Sequence, residues 1–257
     1  MERRKVRSIL ILLFLLWYNS NYNYGGIMQE LKILSMDLKN SNNIFRCSRK
    51  MRSVEGRVES IFSWIQNDTA TTKEPFSVIM LQGWDAHAIG SRLARHLNYR
   101  FYAASDNPSA ILTLRDETKL HIAALGDVAD FGNSVVIPTK EKDYLTLFSV
   151  MVTDSKKAKE FSDIFGKCVN PYSPSFSKYQ IVGGTFSSRK DVDSITDNYH
   201  LMDLSLEEGD FSFYQSSFVH TILLSNAIGY TDVKKEDNLV KRMVLKNSPI
   251  GSRVSYK

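Results

Sequence analysis

The chain has 257 residues, with 43% hydrophobic and 24% charged residues and a formal net charge of +5. These fractions are ordinary for a globular protein, so they exclude a chain too polar to build a core, and the length suits one large domain or two small ones. Part of the positive charge lies in residues 3–7, and the other Lys and Arg residues occur mainly as short pairs typical of solvated faces. The charge therefore gives no strong indication of nucleic-acid binding.

Residues 1–26 have the layout of a secretory signal peptide. A basic segment, Arg3–Arg7, precedes the apolar run Ser8–Tyr18, and a polar stretch follows it. The run is shorter than the roughly 20 apolar residues that a membrane span needs. We therefore expect a signal peptide followed by one domain over residues 27–257. A signal anchor remains an alternative, and a chain begun at Met28 would be cytosolic.

The two cysteines, Cys47 and Cys168, show no zinc-binding or redox spacing. They could pair in an oxidising compartment, since disulfides persist there. The sequence leaves a disulfide and two free thiols equally open.

The first part of the chain alternates strands with helices. Leu31–Leu38 alternates apolar and polar residues and is predicted to be a strand. Val54–Ile65 has apolar residues at spacings of three and four, which predicts an amphipathic helix. Phe76–Leu81 is a continuous apolar run typical of a buried strand. Helical spacing returns over Asp85–Leu97.

Short strands separated by turn residues dominate the rest of the chain. One helix is predicted, at Lys156–Phe165. A strand at Tyr179–Val182 is predicted to end at Gly183-Gly184. The other predicted strands are Tyr99–Ala103, Ala110–Leu114, His121–Ala124, Ser134–Ile137, Tyr144–Thr153, Phe211–Tyr214, Val219–Leu224 and Val240–Leu245. This order predicts an α+β fold, with two sheets packed as a sandwich and covered by helices in a single domain.

Several segments, in chain order, resemble motifs of the endonuclease/exonuclease/phosphatase superfamily, which includes pancreatic-type deoxyribonuclease. Ser77–Gly83 (SVIMLQG) is similar to the family's D-V-I-x-L-Q-E, and Ile181–Ser188 (IVGGTFSS) to I-x-x-G-D-F-N-S. The other matching segments are Leu31–Leu38, Asn107–Leu114, Leu147–Asp154, Val219–Ser225 and Asn247–Val254. The resemblance covers roughly residues 31–254. It implies the deoxyribonuclease-I-like fold, a four-layer α/β/β/α sandwich.

The same resemblance implies that no catalytic residue of the family is intact. The framework residues of each motif are kept, while the reactive positions carry other side chains. These positions are Asp37 (Asn in the family), Gly83 (the metal-binding Glu), Met151 (His), Thr185 (Asp), Ser187 (Asn) and His220 (Asp). The family's final Asp-His pair has no counterpart before Pro249. We therefore expect a secreted pseudoenzyme that acts as a binding or structural module and needs no cofactor.

The alternative is a divergent Mg²⁺-dependent phosphodiesterase or phosphatase, of nuclease or sphingomyelinase type, with a rearranged site. Magnesium usually binds at least one or two carboxylates, and Asp37 and Asp85 are the weak candidates for metal ligands. Asp85 is more readily interpreted as the N-cap of the helix that follows, and His220 as an ordinary polar residue at the start of a strand. Two hypotheses remain for a binding partner at the old cleft, which is the cleft that holds the active site in the family's enzymes. The partner is either a protein or a phosphate-containing ligand. A nucleic acid or a phospholipid is a less favoured form of the phosphate-containing ligand.

Overall fold

The computed structural model describes residues 29–38, 53–104, 107–115, 124–128, 130–139, 143–205, 218–235 and 249–256. The predictions for residues 1–26, for Cys47 and for the strands at Phe211–Tyr214 and Val240–Leu245 lie outside these ranges. The strand predicted at His121–Ala124 lies outside them except for Ala124, where a strand of the structure begins. No helix within the described ranges is long and apolar enough to cross a membrane.

Twelve strands within the described ranges form two mixed sheets of six strands each. In chain order they are β1 (Gln29–Asp37), β2 (Val78–Gln82), β3 (Tyr99–Tyr102), β4 (Ser109–Leu114), β5 (Ala124–Asp127), β6 (Gly132–Pro138), β7 (Tyr144–Val152), β8 (Tyr179–Phe186), β9 (Leu201–Asp203), β10 (Val219–Ser225), β11 (Gly229–Lys235) and β12 (Ile250–Tyr256). Sheet 1 has the order β11-β12-β1-β2-β4-β3, and sheet 2 has the order β5-β6-β7-β8-β10-β9. The pairs β1–β2 and β7–β8 are parallel, and the other pairs are antiparallel.

Four helices within these ranges cover the sandwich: α1 (Val54–Thr72), α2 (Ala86–Leu97), α3 (Ser155–Val169) and α4 (Arg189–Tyr199). Three of them begin at a residue whose side chain accepts a hydrogen bond from a backbone N–H of the first turn. These N-caps are Ser53, Asp154 and Ser188. Capping of this kind satisfies one of the helix donors that has no partner inside the helix.

Buried apolar residues form three layers. The middle layer packs sheet 1 against sheet 2, with Ile33 and Met80 on one side and Leu147 and Ile181 on the other. An outer layer packs α1 and α2 on sheet 1, and a second outer layer packs α3 and α4 on sheet 2. The predicted four-layer α/β/β/α sandwich is therefore confirmed.

The structure corrects one predicted boundary at a pair of glycines. Strand β8 does not end at Gly183-Gly184 but continues to Phe186, and both glycines pair with β10. They lie where the chain is crowded. A Cβ on Gly183 would be 2.8 Å from the sulfur of Met80, and one on Gly184 would be 2.6 Å from the ring of Phe186. Close approach, rather than a turn, is the role of these glycines.

Three elements were not predicted: α4, β9 and β11. Helix α4 (RKDVDSITDNY) has a strongly polar sequence, and only Val192 and Ile195 provide buried apolar contacts. Two apolar residues are too few to show a helical period in the sequence. Strands β9 and β11 are edge strands, and β9 is only three residues long.

Candidate functional site

The positions that match the family's reactive residues converge at one end of the sandwich. Because β1 runs parallel to β2, and β7 parallel to β8, the carboxyl ends of each pair lie at one edge of their sheet. The side chain of Gln82 donates from Nε2 to the carbonyl of Gly183 at 3.1 Å, so the two edges face each other. We call this region the strand-end site. It comprises Asp37, Gly83, Met151, Thr185, Ser187 and His220.

Gly83 forms a tight turn directly after β2. Its φ is +125°, its N–H donates to the carbonyl of Pro108 at 2.8 Å, and its carbonyl accepts from the N–H of Ala86 at 2.9 Å. A Cβ at this position would lie 2.7 Å from the carbonyl oxygen of Leu38. The turn therefore has no room for the glutamate side chain that the family carries here.

Thr185 and His220 form a neutral pair on adjacent strands. Both are buried, and Thr185 Oγ1 lies 3.2 Å from His220 Nδ1. Burial lowers the pKa of His220 to about 4, although the backbone groups of Ser35 and Gly184 act in the opposite direction. The imidazole is thus neutral at neutral pH. Its Nε2 has no hydrogen-bond partner among the described residues.

Ser187 is used to begin a helix. Its hydroxyl donates to Asp191 Oδ2, and the hydroxyl of Ser188 donates to the same oxygen at 2.7 Å. Met151 is half-buried and pairs with Thr185 in the parallel register. Neither residue supplies a group that could activate water, since a hydroxyl bound to a carboxylate and a thioether are both poor bases.

The two weak metal candidates have different surroundings. Asp37 is 1% exposed at the end of β1 and pairs with Gln82 in the sheet register. Asp85 is at the N-cap position of α2, but its side chain makes no capping hydrogen bond. Its Oδ2 instead lies 3.0 Å from Nη2 of the fully buried Arg57. Asp85 therefore occupies the N-cap position, as predicted, but its side chain does not make the capping hydrogen bond. Its carboxylate pairs with the guanidinium of Arg57 instead.

A buried polar layer that the sequence analysis missed lies beneath the strand-end site. Gln82 Oε1 accepts from the hydroxyl of Ser35 at 3.2 Å, and Gln82 Nε2 donates to Ser149 Oγ at 3.0 Å. Ser149 in turn donates to the carbonyl of Leu81 at 3.0 Å. These three polar residues interrupt otherwise apolar strands at inward-facing positions. That interruption is the signal by which the sequence could have revealed them.

These residues do not fit the family's divalent cation. At the position matched to the family's metal-binding glutamate the chain has Gly83, whose turn has no room for a side chain, and Thr185 and His220 are neutral groups in contact through Oγ1 and Nδ1. Among the described residues, no group of three or more His, Cys, Asp or Glu side chains is arranged to hold a metal ion. Among the six residues of the strand-end site, Asp37 is the one with a carboxylate, which is the minimum that Mg²⁺ usually requires from a protein.

Cys168 is a free, partly buried thiol on α3. Burial raises the pKa of this thiol to about 11, so it is protonated and unreactive at neutral pH.

No protein-family model and no curated protein matches the sequence. Solved structures do match. An endonuclease/exonuclease/phosphatase from Bacteroides vulgatus is similar with a TM-score of 0.66 and 8% identity, over 89% of this chain and 100% of that one. A family protein from Bacteroides thetaiotaomicron gives 0.62 and 13%, over 90% and 100%. ANGEL2, a 2',3'-cyclic phosphatase, gives 0.60 and 11%, over 91% and 97%. The chain therefore has the deoxyribonuclease-I-like fold of the endonuclease/exonuclease/phosphatase proteins.

Proposed function

We propose that the chain is a non-catalytic protein of this fold, a pseudoenzyme that serves as a binding or structural module. The observation that carries the proposal is the closed turn at Gly83, where the fold's enzymes hold a metal-binding glutamate. Retained packing does not require retained turnover, because fold and activity are separable.

The Thr185–His220 pair supports the same proposal. At these two positions the family uses carboxylates, whereas here a hydroxyl and a neutral imidazole lie within hydrogen-bond distance of each other. His220 is 7% exposed, its Nδ1 contacts Thr185, and its Nε2, which has no partner among the described residues, is buried away from solvent. A general base must be within hydrogen-bond reach of the proton it removes, and this geometry does not provide that reach.

The decisive experiment is a turnover assay on the purified protein. It is incubated with Mg²⁺ or Mn²⁺ and, separately, with DNA, sphingomyelin and a generic phosphodiester. We expect no hydrolysis above the level of a heat-inactivated sample. Hydrolysis that a chelator abolishes and that Asp37→Ala also removes would establish the alternative, a metal-dependent phosphodiesterase or phosphatase with a rearranged site. Circular dichroism of Asp37→Ala separates lost chemistry from lost folding.

We propose a binding role at the old cleft because Trp84, the residue after Gly83, is exposed at the rim of the strand-end site. Its side chain is 57% exposed, and exposed tryptophans are enriched among residues that dominate binding energy. A protein partner and a phosphate-containing ligand are the two options. Titration with inorganic phosphate, followed by the fluorescence of Trp84, distinguishes them. A saturable change in fluorescence that is absent in Trp84→Phe supports a phosphate-containing ligand. If phosphate does not change the fluorescence, a protein partner is favoured.

We also propose that the protein enters the secretory pathway through residues 1–26. The basic and apolar segments of this region support that proposal. Expression of the full chain in secreting cells, followed by N-terminal sequencing of the product, tests it. A product in the medium that lacks about the first 26 residues supports a cleaved signal. Retention of the whole chain in the membrane fraction supports an anchor, and a cytosolic product beginning at Met28 contradicts both.

A further inference from the structure

A second cleft lies on the other face of sheet 1, away from the strand-end site. We call it the α1–β12 cleft, and its volume is about 120 Å³. One side is formed by Trp64 and Asp68 of α1, and the other by Gly251 and Arg253 of β12. On β1, the lining residues Lys32 and Leu34 alternate with Ile33, which belongs to the core between the sheets. Because neighbouring strand residues point to opposite faces, the cleft opens on the helix-covered face.

The cleft exists because the helices cover only part of that face. Buried residues of α1 and α2 pack on β1, β2, β3 and β4, and none of the residues in this outer layer comes from β11 or β12. The outer faces of β11 and β12 are therefore not covered by this outer layer, and they leave a recess beside α1. At its floor, a Cβ on Gly251 would meet no atom closer than 3.7 Å, which is ordinary van der Waals contact. The floor thus has space that a side chain could fill.

The apolar wall of the cleft is aromatic. Trp64 and Phe76 stack with ring centroids 6.1 Å apart and an interplanar angle of 19°. Leu34 and Pro249 extend this wall. Planar groups bind well against such faces in offset-stacked arrangements. A cavity of about 150 Å³ is known to hold one benzene ring, so the α1–β12 cleft is close to the size of a single ring.

The charges around the cleft are largely matched within the protein. The Lys32 ammonium donates to Asp68, to Thr72 Oγ1 at 2.8 Å and to the carbonyl of Glu74 at 3.0 Å. Arg253 pairs through Nη2 with Glu74 at 2.7 Å and through Nε with Asp232 at 3.2 Å. The acidic residues of the lining, Asp68 and Asp232, are therefore already engaged.

Lys234 is the exception. It is exposed at the edge of the cleft and makes no ion pair with any described residue. The cleft thus combines a ring-sized aromatic recess with a cation at its mouth that has no ion-pair partner in the described part of the chain.

We propose that the α1–β12 cleft binds a small aromatic monoanion, with its ring against Trp64 and its carboxylate toward Lys234. Contact with Trp64 removes the apolar surface of the ring from water. The carboxylate gives Lys234 the ion-pair partner that it lacks among the described residues. This cleft is separate from the strand-end site, since the two share no lining residue.

The test uses the full chain with benzoate as the anionic probe and benzyl alcohol as its neutral counterpart, followed by ligand-detected NMR. For benzoate we expect a Kd on the order of 1 mM, as suits a ligand of one ring. Lys234→Gln should weaken benzoate binding about fivefold, in line with the loss of one partly exposed ion pair, and leave benzyl alcohol unchanged. Gly251→Leu should abolish binding of both probes, because its side chain fills the recess.

Lys190→Gln is the matched control. Lys190 is also an exposed lysine, but it lies on α4 at the opposite sheet, so its removal should change neither titration. The proposal is overturned if benzoate does not bind the wild-type chain at about 10 mM, roughly ten times the expected Kd, or if Lys234→Gln binds it as tightly as the wild type. Because Lys234 is exposed, its replacement leaves folding intact, and the test stays decisive even if Gly251→Leu fails to fold.

Discussion

Gly83 has a positive φ, and the carbonyl oxygen of Leu38 lies where the Cβ of any other residue would be. Backbone of this kind favours glycine, and other residues held there are strained by about 1–3 kcal/mol. The residue-scale consequence is that the metal-binding carboxylate cannot be restored by one substitution. The turn itself would have to move first.

Gly83→Glu should therefore lower the free energy of unfolding by roughly 2–4 kcal/mol, the sum of backbone strain and the clash with Leu38. Urea denaturation measures the change. Gly251→Ala is the control, since its Cβ finds ordinary contacts, and it should change stability by less than about 0.5 kcal/mol. A Gly83→Glu variant as stable as the wild type would show that the turn is not closed.

His220 should make stability depend on pH. Its folded-state pKa of about 4 lies below its ordinary value of 6.5 because burial disfavours the charged ring. The unfolded chain therefore binds the proton more tightly. Stability is fully present above pH 6.5 and decreases as the pH falls toward 4, by about 3 kcal/mol in full. Urea denaturation between pH 7 and pH 4 measures this slope.

His220→Asn should flatten that pH dependence, because the replacement does not titrate. His200→Asn is the matched control. His200 has a φ of +53° at the end of α4, a conformation that asparagine tolerates well, and it is exposed. The control should keep the wild-type slope. An equal slope in the wild type and His220→Asn would contradict the assignment.

At the scale of elements, one buried side chain joins the two sheets. Gln82 of β2 binds Ser35 of β1, Ser149 of β7 and the carbonyl of Gly183 on β8. Buried polar groups are costly unless they are hydrogen-bonded, so the layer is stable only while its members satisfy one another. The strand-end site thus rests on a hydrogen-bonded polar layer.

Gln82→Leu should lower the free energy of unfolding by about 2–3 kcal/mol, because it leaves the Ser149 and Gly183 oxygens with one donor fewer in a dry environment. Thermal or urea unfolding measures the loss. The same change at the exposed Gln66 of α1 should alter stability by less than about 0.5 kcal/mol. Equal effects at the two positions would show that the polar layer contributes nothing specific.

Helices α1 and α2 are joined by the ion pair between Arg57 and Asp85, whose side chains are 0% and 20% exposed. Asp85→Ala should cost about 2–3 kcal/mol, since it removes a carboxylate partner of a buried guanidinium. The exposed pair of Glu55 with Arg92 gives the control, and Glu55→Ala should leave the free energy of unfolding close to that of the wild type, because solvent screens this pair. If Asp85 were a metal ligand, the loss would depend on added Mg²⁺, and we expect no such dependence.

For the molecule as a whole, we expect that the net charge of +5 does not create a surface that binds DNA tightly. Many described cations already pair with carboxylates, among them Lys157, Lys178 and Arg189. We expect binding to double-stranded DNA at 150 mM salt to be no tighter than about 10 µM, the ordinary range of non-specific association. Electrophoretic mobility shifts across a salt series test this. Tight, steeply salt-dependent binding would instead indicate a basic surface on the chain.

The sequence was sufficient for the layered fold, because alternating and helical periods mark the elements that pack on the cores. The sequence did not reveal the elements that pack on the core through only a few apolar residues. Helix α4 buries Val192 and Ile195 and shows no clear period. Glycines were also misread, since Gly183 and Gly184 look like a turn in the sequence but permit close approach within β8.

At the strand-end site, the sequence predicted which positions differ from the family but not how the structure accommodates the differences. The contact of Thr185 with His220 joins two strands, and the steric closure at Gly83 depends on Leu38, 45 residues earlier in the chain. Such contacts between distant segments have no local pattern. The partner of Asp85 was missed for the same reason, because Arg57 lies on another helix.

The turn at Gly83 also fixes the order in which metal chemistry could be regained by mutation. A glutamate that arrives first meets the Leu38 carbonyl and costs stability with no activity to offset the loss. A backbone change that arrives first gives up the hydrogen bonds to Pro108 and Ala86 before any ligand is present. Either single change therefore lowers stability before it can contribute a metal ligand. On the function proposed above, this turn opposes a return to metal-dependent chemistry.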